Sequence, residues 1–155
     1  MDKIPRSWGA CISQTVLATA TVFLVLLSLS LEHAVVISSI GATAFIVFVM
    51  PRSIVARPKN VIGGHLIGLF SGSLCSMIPH PPPSHAVVYS LAVGISILAM
   101  VITNTEHPPA SGTALGVVMR GFSPRVAAAV LTSSVLLSLA HHLLRPLLRD
   151  LVEED

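Results

Sequence analysis

Hydrophobic positions along this chain come in long blocks, and almost every charged residue stands between two of them. From residue 8 to 31 the sequence is apolar apart from Ser, Thr and one Gln. At roughly 1.5 Å per residue such a run is long enough to cross about 30 Å of bilayer hydrocarbon. Glu32 and His33 end it. A shorter run over 34–50 carries SSIGATA in its first half and stops at Pro51 and Arg52. No charge lies between Lys59 and Glu106, a distance that takes two crossings. The proline run IPHPPPSH at 78–85, which cannot continue a helix, divides it. The spacing predicts spans over 60–77 and 85–104, a short helix over 107–119 that starts on His-Pro-Pro, and a last span over 126–144. The remaining segment, 145–155, reads as a short solvated tail.

Composition agrees with the blocks. Of 155 residues, 53% are hydrophobic and 10% charged, against roughly 25% charged in an average soluble domain. The mean hydropathy is +0.84. These values predict an all-α, multi-pass membrane protein forming a single transmembrane domain over 1–155. Lys3 and Arg6 precede the first run as they would in a signal peptide. That run is longer than a signal core and has no A-x-A site, so it reads as a retained helix. Net charge is +2, with the basic residues scattered between apolar segments, which argues against a nucleic-acid partner. Cys11 and Cys75 fall in apolar segments without metal-type spacing and read as packing residues. The histidines match no zinc motif, and there is no P-loop, nucleophile elbow or H-E-x-x-H. No enzyme activity, metal or cofactor is expected.

Lys3, Arg6, Arg52, Arg57 and Lys59 share one side of the membrane if two spans separate them, and the positive-inside rule makes that side the cytoplasm. Arg120 with Arg125, and Arg145 with Arg149, balance one another, so charge does not decide whether 107–119 crosses. A repeat points one way. Glu32-His33, then GATA from Gly41, then Met50-Pro-Arg52 is echoed by Glu106-His107, then GTAL from Gly112, then Met119-Arg120. Two units of three elements, about 8–78 and 85–144, follow from it. Each has a short second helix and the second unit is inverted relative to the first, as in many transporters. Six crossings result, with both termini cytoplasmic in a plasma (inner) membrane.

Two short helices that start near mid-membrane would present small and hydroxyl residues together with freed amides and a partial positive charge, which suits a small anion. The expected lining is Ser38, Ser39, Gly41 and Thr43 from the first unit, and His107, Ser111, Gly112 and Thr113 from the second. Small residues also serve plain helix packing, and residue type alone does not separate the two roles. Arg52, Lys59, Asn60, His65 and Glu106 form an expected vestibule or gate. His65 lies inside an apolar span and needs a partner or a wet cavity. Gly63, Gly64 and Gly68 beside it suggest close packing first. His107 next to Glu106 is a candidate proton-sensitive gate.

EHPPASGTALG, together with GATAFIVFVMPRSIVARPKNVIGGHLIG upstream, resembles the HPP family of integral membrane proteins, named for the motif seen here as His107, Pro108 and Pro109. The resemblance covers about 8–144 and implies anion transport, nitrite in particular, by analogy with some family members. Others carry regulatory domains, and none is expected in this chain, which is read as closing soon after its last span. The family is usually described with four membrane helices, against the six expected here. The combined expectation is a channel or transporter for a small monovalent anion such as nitrite, embedded in the lipid bilayer as a homo-oligomer. Rival readings are a transporter of a different solute and a non-transporting sensor or assembly module.

Overall fold

A computed structural model describes residues 8–27 and 34–152. Among these residues are six α-helices, one 3-10 turn and no strand. They are α1 (Trp8–Leu27), α2 (Ala34–Val49), the turn Ile54–Ala56, α3 (Pro58–Ser76), α4 (His85–Thr103), α5 (Pro109–Arg120) and α6 (Pro124–Leu144). The helical class and the segment boundaries read from the hydrophobic blocks agree with it to within a few residues, except that the expected end of the first span, at 31, lies outside the described residues. Proline sets three of the starts: α3, α5 and α6 each begin on one, where the ring fixes φ and the missing N–H would have had no partner. Asn104 ends α4 in the left-handed conformation, φ 51° and ψ 50°, which asparagine adopts more readily than most residues.

The helices divide by length and polarity. Among the described residues, α4 and α6 alone are both long and apolar enough to cross a bilayer unaided. With 16 and 12 residues, α2 and α5 rise only about 24 and 18 Å, short of the roughly 30 Å of hydrocarbon. These are the expected short second helices. The 19-residue α3 has the length but carries Asn60, His65 and four glycines. It can do so because α4, α5 and α6 all pack around it, so few of its side chains need to meet lipid.

The central seam joins α3 to α5. Gly64, Gly68 and Gly72 recur every four residues on one face of α3. A Cβ at Gly64 would lie 2.7 Å from the His107 Cβ, one at Gly68 would run into the Ala110 carbonyl, and one at Gly72 would lie 2.5 Å from the Ala114 carbonyl. The partners advance along α5 as the glycines advance along α3, so the two helices run parallel with their backbones in contact. The helix α2 runs antiparallel to α5, since Ser39 meets Pro109 and Thr113 while Thr43 meets His107. Further principal packings are α1 on α2 and α6, α6 on α2 and α3, and α4 on α3 and α5. Exchanging α1 with α4, α2 with α5 and α3 with α6 carries this set of helix pairs onto itself.

Ile40, Val47, Phe48, Val61, Val117, Val130 and Leu137 fill the core between α2, α3, α5 and α6. A smaller cluster of Cys75, Val88, Ala92 and Val118 joins α3, α4 and α5. The outside is apolar: Trp8, Ile12, Val16 and Phe23 on α1, Val87, Leu98 and Ile102 on α4, and Leu139 and Leu143 on α6 are exposed, while Gln14, Ser39, Thr43, Asn60, His65, His107 and Thr113 are buried. That is the reverse of a water-soluble bundle.

The expected solvated tail is instead docked as far as the described residues reach. Leu148 is buried, the Leu151 amide donates to Val49 O at 2.9 Å and Asp150 Oδ1 accepts from the Arg52 amide at 3.0 Å. Gln14 Nε2 donates to the carbonyls of Phe48, at 2.6 Å, and Arg149, at 2.8 Å. Leu148 and Leu151, three apart, give the segment an apolar side that a charge-based reading passes over.

Candidate functional site

Where α2, α3 and the start of α5 meet, five polar side chains are buried together. Ser39 and Thr43 come from successive turns of α2, His65 from the second turn of α3, His107 from the segment leading into α5, and Thr113 from the second turn of α5. All are at most 4% exposed. Ser39 Oγ donates to the Pro109 carbonyl at 2.5 Å and meets Thr113 Oγ1 at 2.9 Å. Thr113 Oγ1 meets His65 Nδ1 at 2.9 Å. Thr43 Oγ1 lies 3.0 Å from both His65 Nε2 and His107 Nε2, and His107 Nδ1 donates to the Val55 carbonyl at 2.8 Å. The two imidazoles stand edge to face, centroids 5.2 Å apart and planes at 61°. Local sequence explains the placement: Gly64 has no Cβ to hold His107 away, and Gly68 admits the first turn of α5.

The polar groups offered here are hydroxyls and imidazoles, not the free amides expected of a helix start. Pro108 and Pro109 have no N–H. The Ala110 amide donates to His107 O at 2.9 Å and the Ser111 amide to Pro108 O at 3.1 Å, so the first turn of α5 satisfies its own donors.

The other residues expected at the site are spread around this cluster. Ser38 and Gly112 line, with Ser39, Ala42, Phe45, Ile46, Pro108, Pro109 and Leu115, an open and largely apolar groove of about 580 Å³ on the outer side of the α2–α5 contact. Gly41 is exposed and nothing lies within 4 Å of where its Cβ would be. Ser111 is half-buried. Arg52 and Lys59 are exposed at either end of the 3-10 turn whose Val55 carbonyl receives His107. Asn60 is buried and its Nδ2 donates to Glu106 O at 3.1 Å, with Glu106 itself half-buried. The basic loop and the Glu106-His107 step are therefore tied at one end of the bundle.

Two features escaped the sequence reading. His65 belongs with the inner cluster, not the vestibule, a placement that Gly64 and Gly68 on its flanks hint at. The Val55 and Pro109 carbonyls are backbone acceptors, with no signature in residue type.

The family model described as HPP, transmembrane region, matches residues 3–150. The chain belongs to this family. His107, Pro108 and Pro109, the HPP step, thus hold one of the two buried imidazoles and start α5. A transmembrane protein of Dictyostelium discoideum is 38% identical over 93 residues, covering 59% of this chain and 33% of that protein. A second from the same organism is 33% identical over 89 residues, covering 57% of this chain and 29% of that protein. The match with this HPP-family chain thus spans about a third of the length of these relatives. No solved structure matches it significantly.

Proposed function

We propose that this HPP-family membrane protein is a transporter or channel for a small monovalent anion, with nitrite as its solute. One observation carries the reading: five polar side chains, two of them imidazoles, are buried where two short helices cross inside a bundle with an apolar outside. Ionisable residues inside a membrane bundle are costly and mark solute or proton paths. Exposed Arg52, Arg57 and Lys59 above the cluster raise the local concentration of anions. Nitrite itself comes from the resemblance of EHPPASGTALG to transport members of the family. Ser38, Ser39, Gly41, Thr43, His65, His107, Ser111, Gly112 and Thr113 are proposed to line the path, and Arg52, Lys59, Asn60 and Glu106 to form its mouth and gate.

An inverted repeat of three helices underlies this path. Its support is the exchange pattern of helix pairs and the antiparallel meeting of α2 with α5. The echo of Glu106-His107 at Glu32-His33 lies outside the described residues. The proposed setting is a plasma membrane, with both termini cytoplasmic and several copies associated through the exposed apolar faces. Flux into liposomes of nitrite, formate, nitrate and chloride tests the solute. Nitrite entry above protein-free vesicles is the expected result, and equal silence on all four anions rejects the proposal.

A second reading has an observation of its own. Every ring nitrogen of His65 and His107 already has a protein partner, as in a cluster that only locks helices together. That reading predicts that His107→Gln lowers stability in a chain whose wild type moves no solute.

A further inference from the structure

The cluster raises a question of hydrogen supply. Six contacts need a hydrogen each: Ser39 to the Pro109 carbonyl, Ser39 with Thr113, Thr113 with His65, Thr43 with His65, Thr43 with His107, and His107 to the Val55 carbonyl. Three hydroxyls and two neutral imidazoles supply one hydrogen each, five in all. Two of the six are directed beyond choice, because carbonyl oxygens only accept. Ser39 therefore spends its hydrogen on Pro109, and His107 carries one on Nδ1. A neutral cluster leaves two lone pairs facing each other at about 3 Å, a costly arrangement in a buried site. Thr43 Oγ1 also lies 3.0 Å from the Ser39 carbonyl one turn back, but that oxygen belongs to the backbone ladder of α2 and does not require the hydroxyl hydrogen, so the count is of the six contacts that join different elements.

One added proton closes the deficit in two ways. With it on His65, His65 donates to Thr113 and Thr43, Thr113 donates to Ser39, and Thr43 donates to His107 Nε2. With it on His107, His107 donates to Val55 and Thr43, Thr43 donates to His65 Nε2, and His65 Nδ1 donates to Thr113. All six contacts are satisfied in both cases. The two arrangements differ only in the hydrogens on either side of Thr43 Oγ1. We infer that Ser39, Thr43, His65, His107 and Thr113 form a binding site for a single proton, which passes between the two imidazoles through the Thr43 hydroxyl. In the transfer the Nε2–H bond of His65 breaks and its hydrogen bonds to Thr43 Oγ1, whose own hydrogen moves to Nε2 of His107. Thr43 ends unchanged and the charge has crossed it.

Burying the charge costs free energy, which the complete set of hydrogen bonds and the inward Val55 and Pro109 carbonyls offset. The neighbouring elements bring few other charges. Glu106 precedes His107 and is half-buried, and Arg57 and Lys59 are exposed at the start of α3. His85 starts α4, Arg120 ends α5, Arg125 starts α6, and His141 near its end donates to the Pro51 carbonyl. The described residues of α1 and α2 carry no titratable group apart from Cys11. The proton site does not rest on the transport reading.

Solid-state NMR of the whole chain with nitrogen-15 histidine, in phosphatidylcholine vesicles near neutral pH, tests this. The His107 ring is identified without mutation by its contact with carbon-13 labelled Val55. Subtracting the spectrum of the His65→Gln, His107→Gln double variant should leave one imidazolium and one neutral ring, in exchange with each other. Thr43→Ser should keep the exchange and Thr43→Val should abolish it. Two neutral rings in the wild type overturn the site, and exchange that persists in Thr43→Val overturns the relay. If the variants do not fold, the wild-type His107 signal decides: partial imidazolium character supports the site, and a wholly neutral ring refutes it. A chain that shows the imidazolium but moves no anion refutes the transport reading alone. One that moves nitrite with both rings neutral refutes the proton site alone.

Discussion

Ser39 and Thr113 stand 74 positions apart in the sequence and meet hydroxyl to hydroxyl at 2.9 Å in the buried interior. They pin the antiparallel crossing of α2 and α5, because each also holds a partner on the far side, Pro109 for Ser39 and His65 for Thr113. A double-mutant cycle with Ser39→Ala and Thr113→Val, followed by unfolding in detergent, should give a coupling of about 0.6 kcal/mol and no more than roughly 1.7. Additive losses would show that the two hydroxyls do not support one another.

The glycines of α3 and α2 should respond oppositely to alanine. Gly68→Ala drives a methyl into the Ala110 carbonyl and should destabilise the protein by about 1–3 kcal/mol through overpacking. Gly41→Ala meets open space and should be neutral or stabilising by about 0.5–1 kcal/mol, as expected in a helix. Thermal unfolding of the two variants compares them directly. Equal melting temperatures would contradict the seam.

Gly112 divides two substitutions by size. An added Cβ would lie 3.4 Å from the Ser39 Cβ, so alanine fits with a small adjustment and leucine must displace Ser39. On the transport reading Gly112→Ala keeps nitrite flux, while Gly112→Leu lowers it at least about tenfold, equivalent to roughly 1.4 kcal/mol, with membrane insertion intact. Flux by the leucine variant at the wild-type rate would take this glycine off the path.

Gln14→Leu should release the docked C-terminal segment. The substitution removes donors to the Phe48 and Arg149 carbonyls and leaves a buried acceptor unpaired, at a cost of about 1–3 kcal/mol. Hydrogen exchange at the Leu151 amide, bonded to Val49 O, should speed up by at least about tenfold. Unchanged protection would mean that Leu148 and the Asp150–Arg52 bond hold the segment without Gln14.

Arg52→Gln with Lys59→Gln should reduce nitrite uptake several-fold at low ionic strength and have little effect near 1 M salt, where the Debye length is about 3 Å. Uptake measured across a salt series reads the difference. A deficit that persists at high salt would point to a structural effect on the 3-10 turn and the Val55 carbonyl it presents.

Much of this was legible in the hydrophobic blocks. Charge-free intervals and prolines mark the helices to within a few residues, since both are local effects that the chain writes at the position where they act. GGHLIG announces close packing, and EHPP announces the start of α5. What the chain does not write is which backbone atoms take the hydrogen bonds: the Val55 and Pro109 carbonyls depend on where the 3-10 turn and α5 come to rest. The start of α5 departs from the expectation of freed amides, because a helix start can satisfy its own donors. In place, Pro108 and Pro109 supply no donors and the local turn uses the next two. His65 is expected among the vestibule or gate residues, while the glycines beside it suggest close packing; without side chains at Gly64 and Gly68 its helix comes against His107 and the first turn of α5.

Because α3 and α5 touch main chain to main chain along Gly64, Gly68 and Gly72, the separation of the two imidazoles is inherited from the backbone. Exchanging side chains elsewhere in the bundle leaves that interval as it is. Thr43 comes from α2, which is joined to this rigid pair through hydroxyl contacts and apolar packing. The interval between the rings therefore does not depend on the oxygen that bridges it.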